Sequence, residues 1–187
     1  MSDLSKMFNA LYGAYRLARF DAGGIKYFDI SQSGFWFSFK AAILVLPLYL
    51  AILIARWSNM ETEISGFWFF IIEMIGYVIA WAAFPVILPY VLRYLDREKN
   101  YIQTIVAYNW AAVLQNLLYT PIAILNLSGM AGAGLLSFIT LIAILAYSWF
   151  VIKTALDVPS PVAWLVVGID IAISIFLSLW IDSLLST

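Results

Sequence analysis

The sequence predicts an all-α integral membrane protein in which five transmembrane helices follow a cytoplasmic amphipathic helix. Three observations predict it. The chain is 64% hydrophobic and 11% charged, with a mean hydropathy of +0.94, whereas soluble domains are roughly half apolar and a quarter charged. Five apolar stretches reach or approach the roughly 20 residues needed to cross a hydrocarbon layer. The basic residues collect at alternate ends of those stretches. Because every backbone polar group in lipid needs an internal partner, the stretches are expected to be helices, and they lack the alternation of a barrel strand.

Residues 1–34 form the cytoplasmic part. Leu4, Phe8, Leu11, Tyr15 and Ala18 recur at helical spacing while Lys6, Arg16 and Arg19 supply positive charge, which predicts an amphipathic helix. Ser2 or Asp3 is placed to cap its start, and Asp21-Ala22-Gly23-Gly24 to end it. Such a helix lies either on the cytoplasmic leaflet, with its basic residues at the headgroups, or across the end of the bundle. No signal peptide is expected, because the first apolar run starts only at Phe35 and no small-residue cleavage site follows it.

Residues 35–187 form a five-helix transmembrane domain, with spans predicted at 35–55, 67–92, 101–125, 135–152 and 162–181. Aromatic clusters mark the interfaces: Phe35-Trp36-Phe37 on one side, Trp57, Phe67-Trp68 and Trp180 on the other. All of the ten basic residues except Arg56 fall before or just inside the first span, between the second and third, or after the fourth. The external loop after the first span carries Glu61 and Glu63. Short basic loops stay cytoplasmic, so the amino terminus is expected inside and the carboxyl terminus outside, in the periplasm if the membrane is a bacterial inner membrane. Small residues four apart, Gly76 and Ala80, Ala107 and Ala111, Gly168 and Ala172, permit close helix approach. Pro85 and Pro89 are expected to bend the second span.

Ionisable residues inside a span are costly and face a bundle interior or water, which makes Lys40, Glu73 and Asp170 the first candidates. At about 1.5 Å per residue, Lys40 lies roughly 8 Å inside the cytoplasmic edge and Asn109 and Asp170 roughly 12 Å, while Glu73 lies roughly 9 Å from the external edge, near the level of Gln115 and Asn116. Two polar layers are expected: Lys40, Asn109 and Asp170 on the cytoplasmic side, and Glu73, Gln115 and Asn116 on the external side. Asp170, Ser174, Ser178 and Asp182 form one stripe on the fifth span at four-residue steps. The layers read either as a proton or ion path or as hydrogen bonds that fix helix register, with Lys40 reaching to the surface.

The chain has no cysteine and no histidine, which removes disulfides, thiol chemistry and the commonest metal ligand and general base. No Gly-x-Ser-x-Gly elbow, phosphate-binding glycine loop or pair of intramembrane aspartates is present. Neither a catalytic residue nor a cofactor or metal is therefore expected. A net charge of −1 offers no general attraction for nucleic acid. The expected partners are the lipid bilayer, another membrane protein, or a second copy in a homo-oligomer.

With a cytoplasmic amino-terminal segment, five closely spaced spans and Tyr119-Thr120-Pro121 in the third, the chain resembles the Yip1 family in its bacterial branch. The Asp-Leu-Tyr-Gly element of eukaryotic members is missing; Leu11-Tyr12-Gly13, preceded by Ala10 rather than Asp, resembles only its last three residues. The resemblance implies a non-enzymatic protein that organises membranes or binds partners. A scaffold of this kind is the first expectation. A small transporter or channel built on the polar layers around Glu73 and Asp170 is the alternative, and a continuous wet cavity containing either carboxylate separates the two.

Overall fold

A computed structural model of the protein describes residues 3–60 and 64–186; Ser2, Glu61 and Glu63 lie outside them. Helix α1 (Asp3–Ala18) leads through a 3-10 turn (Ala22–Tyr27) to α2 (Gln32–Ser38) and α3 (Lys40–Ser58). Then follow α4 (Gly66–Leu95), a 3-10 turn (Glu98–Asn100), α5 (Tyr101–Leu127), α6 (Ala133–Leu156) and α7 (Ser160–Leu185). Five helical segments are long and apolar enough to cross a membrane: Gln32–Ser58, Gly66–Leu95, Glu98–Leu127, Ala133–Leu156 and Ser160–Leu185. They run past the hydropathic stretches because interfacial residues continue the backbone hydrogen bonding.

The first span is two helices. Ser31 accepts from the Gly34 amide at 3.0 Å and so starts α2, as N-capping hydroxyls do. At its other end the Ser38 hydroxyl donates to the Phe35 carbonyl at 2.7 Å, and Phe39 turns the chain before α3 begins at Lys40. In α4, Pro89 removes the amide that would serve the Pro85 carbonyl. The Tyr101 hydroxyl donates to that carbonyl instead, at 3.0 Å.

Helix α5 is the centre of the bundle, packed along α3 on one side and α6 on the other, while α4 packs chiefly on α7. Three apolar clusters hold this arrangement. Ala10, Ala14 and Leu17 of α1 meet Val45, Trp110 and Val151. Phe84, Leu88 and Leu92 of α4 meet Val166 and Val167 of α7 at one end of the bundle. Leu53, Phe69 and Ile181 close the other end. Helices α4 and α7 are thus clamped at both ends, and polar residues occupy the stretch between.

The structure revises several expectations. Helix α1 buries Ala10, Gly13, Ala14 and Leu17 against the bundle, where Tyr147 donates to the Ala14 carbonyl at 2.8 Å. The predicted row divides: Leu4, Phe8 and Tyr15 are exposed, while Leu11 and Ala18 are half-buried against the same cluster, and the small residues allow α1 to approach α5 and α6. The helix ends at Ala18 and Phe20 takes the left-handed region at φ 58°, before the predicted Asp21–Gly24 stop. Gly23 and Gly24 instead belong to the 3-10 turn, where the Asp21 side chain accepts from the Gly23 amide. Gly76 admits the Ile181 side chain where a Cβ would stand, whereas nothing approaches Gly168 and Ala172 is exposed. Among the described residues no close helix approach is therefore made at Gly168.

Candidate functional site

At the Leu53, Phe69 and Ile181 end of the bundle Glu73 is 2% exposed yet fully engaged. Arg56 Nη1 lies 2.6 Å from its Oε1 and the Tyr49 hydroxyl donates to its Oε2 at 2.6 Å. The other arm of Arg56 donates to Asp182 at 3.1 Å. One guanidinium thus ties α3 to α4 and α7, using the fork geometry that suits arginine to two carboxylates. Its position follows from length: Arg56 is at the helix end, but its side chain reaches back a turn to satisfy a carboxylate that lipid would not tolerate alone.

Deeper in the bundle Asp170 accepts from the Tyr108 hydroxyl at 2.9 Å. No ion pair to Asp170 exists among the described residues. Gln115 donates to the Ser148 hydroxyl at 2.9 Å and Asn116 to the Ala112 carbonyl of its own helix at 2.8 Å. Asn109, fully buried, donates to the Ser38 hydroxyl at 2.9 Å, tying α5 to the break between α2 and α3.

These contacts redraw the two expected layers. Lys40 pairs with Asp3 of α1 at 2.6 Å rather than with Asn109 or Asp170. Asn109 faces α2, and Asp170 faces Tyr108. Gln115 and Asn116 share a cavity with Asp170 and Ser174, not with Glu73. Counting rise along a helix gives depth, but neighbours depend on which helices are adjacent, and α5 touches α4 only lightly.

Two cavities result. The deeper, about 260 Å³, lies among α3, α4, α5 and α7 and contains Asp170, Gln115, Asn116 and Ser174. The outer, about 240 Å³, contains Glu73, Arg56, Ser178 and Asp182. They share Tyr49, Tyr77, Ala80, Ser174 and Leu177 as common lining, so the α7 stripe Asp170, Ser174, Ser178 and Asp182 runs along both. No family model matches the sequence, and no characterised protein or solved structure is significantly similar to it. The chemistry has to be read from the cavities themselves. Sequence reasoning found Glu73, Asp170 and the stripe but passed over Arg56, Tyr49 and Tyr108. The signal for Arg56 was present: it is the sole basic residue predicted at the external end.

At the amino-terminal end of the chain a second charged group fixes α1. Arg16 donates to Asp21 through Nε at 2.6 Å and contacts it through Nη2 at 2.5 Å, and its Nη1 donates to Tyr27 at 3.2 Å. Hydrogen bonding from Arg16 holds the Asp21 carboxyl below its ordinary value, hydrogen bonding from Lys40 does the same for Asp3, and the Ser31 hydroxyl and amide lower Asp29. Among the described residues no group of three or more acidic side chains converges on a point where a metal ion could sit.

Proposed function

We propose that this polytopic membrane protein takes a small polar solute into the joined cavities, as the non-enzymatic binding element of a small transporter. The observation that carries this reading is the shared lining of the two cavities, which gives a polar stripe from Asp182 at the outer end to Asp170 in the interior. A scaffold needs no such interior, and polar groups at membrane depth are retained where they serve a path or a ligand. The scaffold role that a Yip1 resemblance implies is the second reading, supported by architecture and the short motifs around Tyr12 and Tyr119. In this proposal the membrane is a bacterial inner membrane, and the carboxyl end of α7 and the Arg56 triad face the periplasm.

The absence of cysteine provides a clean test. Single substitutions Ser174→Cys and Ser178→Cys are expected to react with a membrane-impermeant thiol reagent applied from the external side. Ile175→Cys and Leu179→Cys, exposed on α7 but outside both cavities, are expected to stay unmodified. If Ser174→Cys and Ser178→Cys are as inert as Ile175→Cys in a folded protein, the interior is dry and the scaffold reading replaces this one. Orientation is read in the same cells: Ser186→Cys is expected to react when they are intact, and Lys26→Cys only after permeabilisation.

A further inference from the structure

The deeper cavity has a chemical bias. Its tyrosine hydroxyl protons are already committed: Tyr49 donates to Glu73, Tyr77 to the Ala42 carbonyl and Tyr108 to Asp170. Gln115 and Asn116 each spend one amide hydrogen, on Ser148 and Ala112, and keep a carbonyl oxygen that can accept. Among the described residues no lysine or arginine lines this cavity. Asp170 adds a carboxylate whose hydrogen-bond partner is neutral, unlike Glu73 with its arginine.

Five aromatic rings complete the lining. Tyr49 and Tyr77 stack at 4.7 Å, Tyr77 meets Trp81 edge-on at 6.2 Å, and Phe84 packs on Tyr108 at 4.5 Å. Aromatic faces attract cations, and cages of such rings are the recurrent means of holding quaternary ammonium groups. A hard metal ion would want six or more oxygens with carboxylates among them, and Asp170 is the one carboxylate in this lining. At about 260 Å³ the space falls just below the pockets of roughly 300 Å³ and upward that take drug-sized ligands. A compact occupant is required.

We infer that the deeper cavity binds a small organic cation, an alkylammonium or quaternary ammonium group, with Asp170 as its counter-ion and the Tyr77, Trp81 and Tyr108 rings as its wall. This rests on the solute-binding reading above. The cation neutralises the one interior carboxylate that lacks a basic partner among the described residues, and the rings replace its weak hydration shell. The group could arrive on a free solute or on a lipid headgroup.

Equilibrium dialysis of the purified full chain with radiolabelled choline tests the inference, with 3,3-dimethylbutanol as a neutral competitor of the same shape. Choline is expected to bind saturably and the neutral isostere about tenfold more weakly. Asp170→Asn, which keeps an acceptor for Tyr108, is expected to weaken choline about tenfold with an unchanged elution profile. Trp81→Leu, which leaves the Asp170 contact in place, is expected to weaken it several-fold and serves if Asp170→Asn does not fold. Absence of saturable binding, equal binding of the isostere, or wild-type affinity in both variants overturns the inference. Binding of free choline in phosphatidylglycerol nanodiscs but not in phosphatidylcholine nanodiscs identifies the lipid headgroup as the source, and equal binding in both identifies a free solute. Cysteine labelling separates the two levels: a reactive Ser174→Cys without choline binding sinks the ligand class alone, whereas an inert one sinks the solute-binding reading.

Discussion

Arg56 lies 2.6 Å from Glu73 and 3.1 Å from Asp182, so one guanidinium serves two carboxylates on two different helices. The two contacts are unequal. Glu73 is 3% exposed at its side chain and Asp182 is 51% exposed, so water screens the second pair but not the first.

Removal of Arg56 therefore acts through Glu73. Arg56→Met strands a buried carboxylate, for which breaking a buried pair costs about 3–5 kcal/mol. Because about a third of the Arg56 side chain is open to solvent, the expected loss is nearer 2–3 kcal/mol. Arg56→Met combined with Glu73→Gln should recover much of it, since the neutral amide can still accept from Tyr49. Thermal unfolding in detergent measures all three variants, and additive losses in the double variant would contradict the coupling.

Helix α1 and its following turn cross at a pair of glycines. A Cβ on Gly24 would run into the Gly13 carbonyl, and one on Gly13 would stand 2.8 Å from the Gly24 carbonyl. Backbone cannot step aside as a flexible side chain can. Gly24→Ala is expected to destabilise by about 1–3 kcal/mol, the range of overpacked sites. Gly168→Ala, where nothing lies within 4 Å, should be neutral or slightly stabilising through its better helix propensity. Comparing their melting temperatures decides the matter, and a tolerated Gly24→Ala would mean that the crossing is looser than the geometry requires.

The docking of α1 should depend on pH in one direction. Asp3, Asp21 and Asp29 all have carboxyls held below the ordinary value of 3.8 by Lys40, Arg16 and Ser31. A carboxyl lowered in the folded state contributes stability that is present above its unfolded value and lost as pH falls through the folded one. Docking is therefore expected to be constant near neutrality and to weaken only below about pH 4. Hydrogen exchange of the α1 amides, corrected for intrinsic rates, reports it. Asp3→Asn with Asp21→Asn should flatten the acid response, and an unflattened response would assign it to other groups.

The spans were legible because lipid enforces a rule that hydropathy reads directly. Less was legible wherever neighbours mattered more than composition. The face that α1 buries is Ala10, Gly13, Ala14 and Leu17, small residues that carry little hydrophobic signal, so Leu4 and Phe8 dominated the periodicity instead. Depth along α5 placed Gln115 and Asn116 near Glu73, yet azimuth turned them toward Asp170. Arg56 looked like a loop residue until its reach toward α4 was known. The break at Phe39 was equally hidden, since the Ser38 hydroxyl that marks it draws its second partner from Asn109 on another helix.

Pro89 in α4 offers the last test, because the carbonyl it frees has found a substitute donor. The Tyr101 hydroxyl donates to the Pro85 carbonyl at 3.0 Å from α5, and Pro85 is buried. Tyr101→Phe leaves that acceptor without a partner in a setting where water does not reach, which is expected to cost about 1–3 kcal/mol. Pro89→Ala restores a backbone amide at the position that normally serves the same carbonyl. Once the helix supplies its own donor, the tyrosine hydroxyl becomes dispensable. The cost of Tyr101→Phe should therefore shrink in the Pro89→Ala background, a coupling that a double-mutant cycle of unfolding free energies isolates. Equal costs in the two backgrounds would show that Tyr101 stabilises α4 by packing alone.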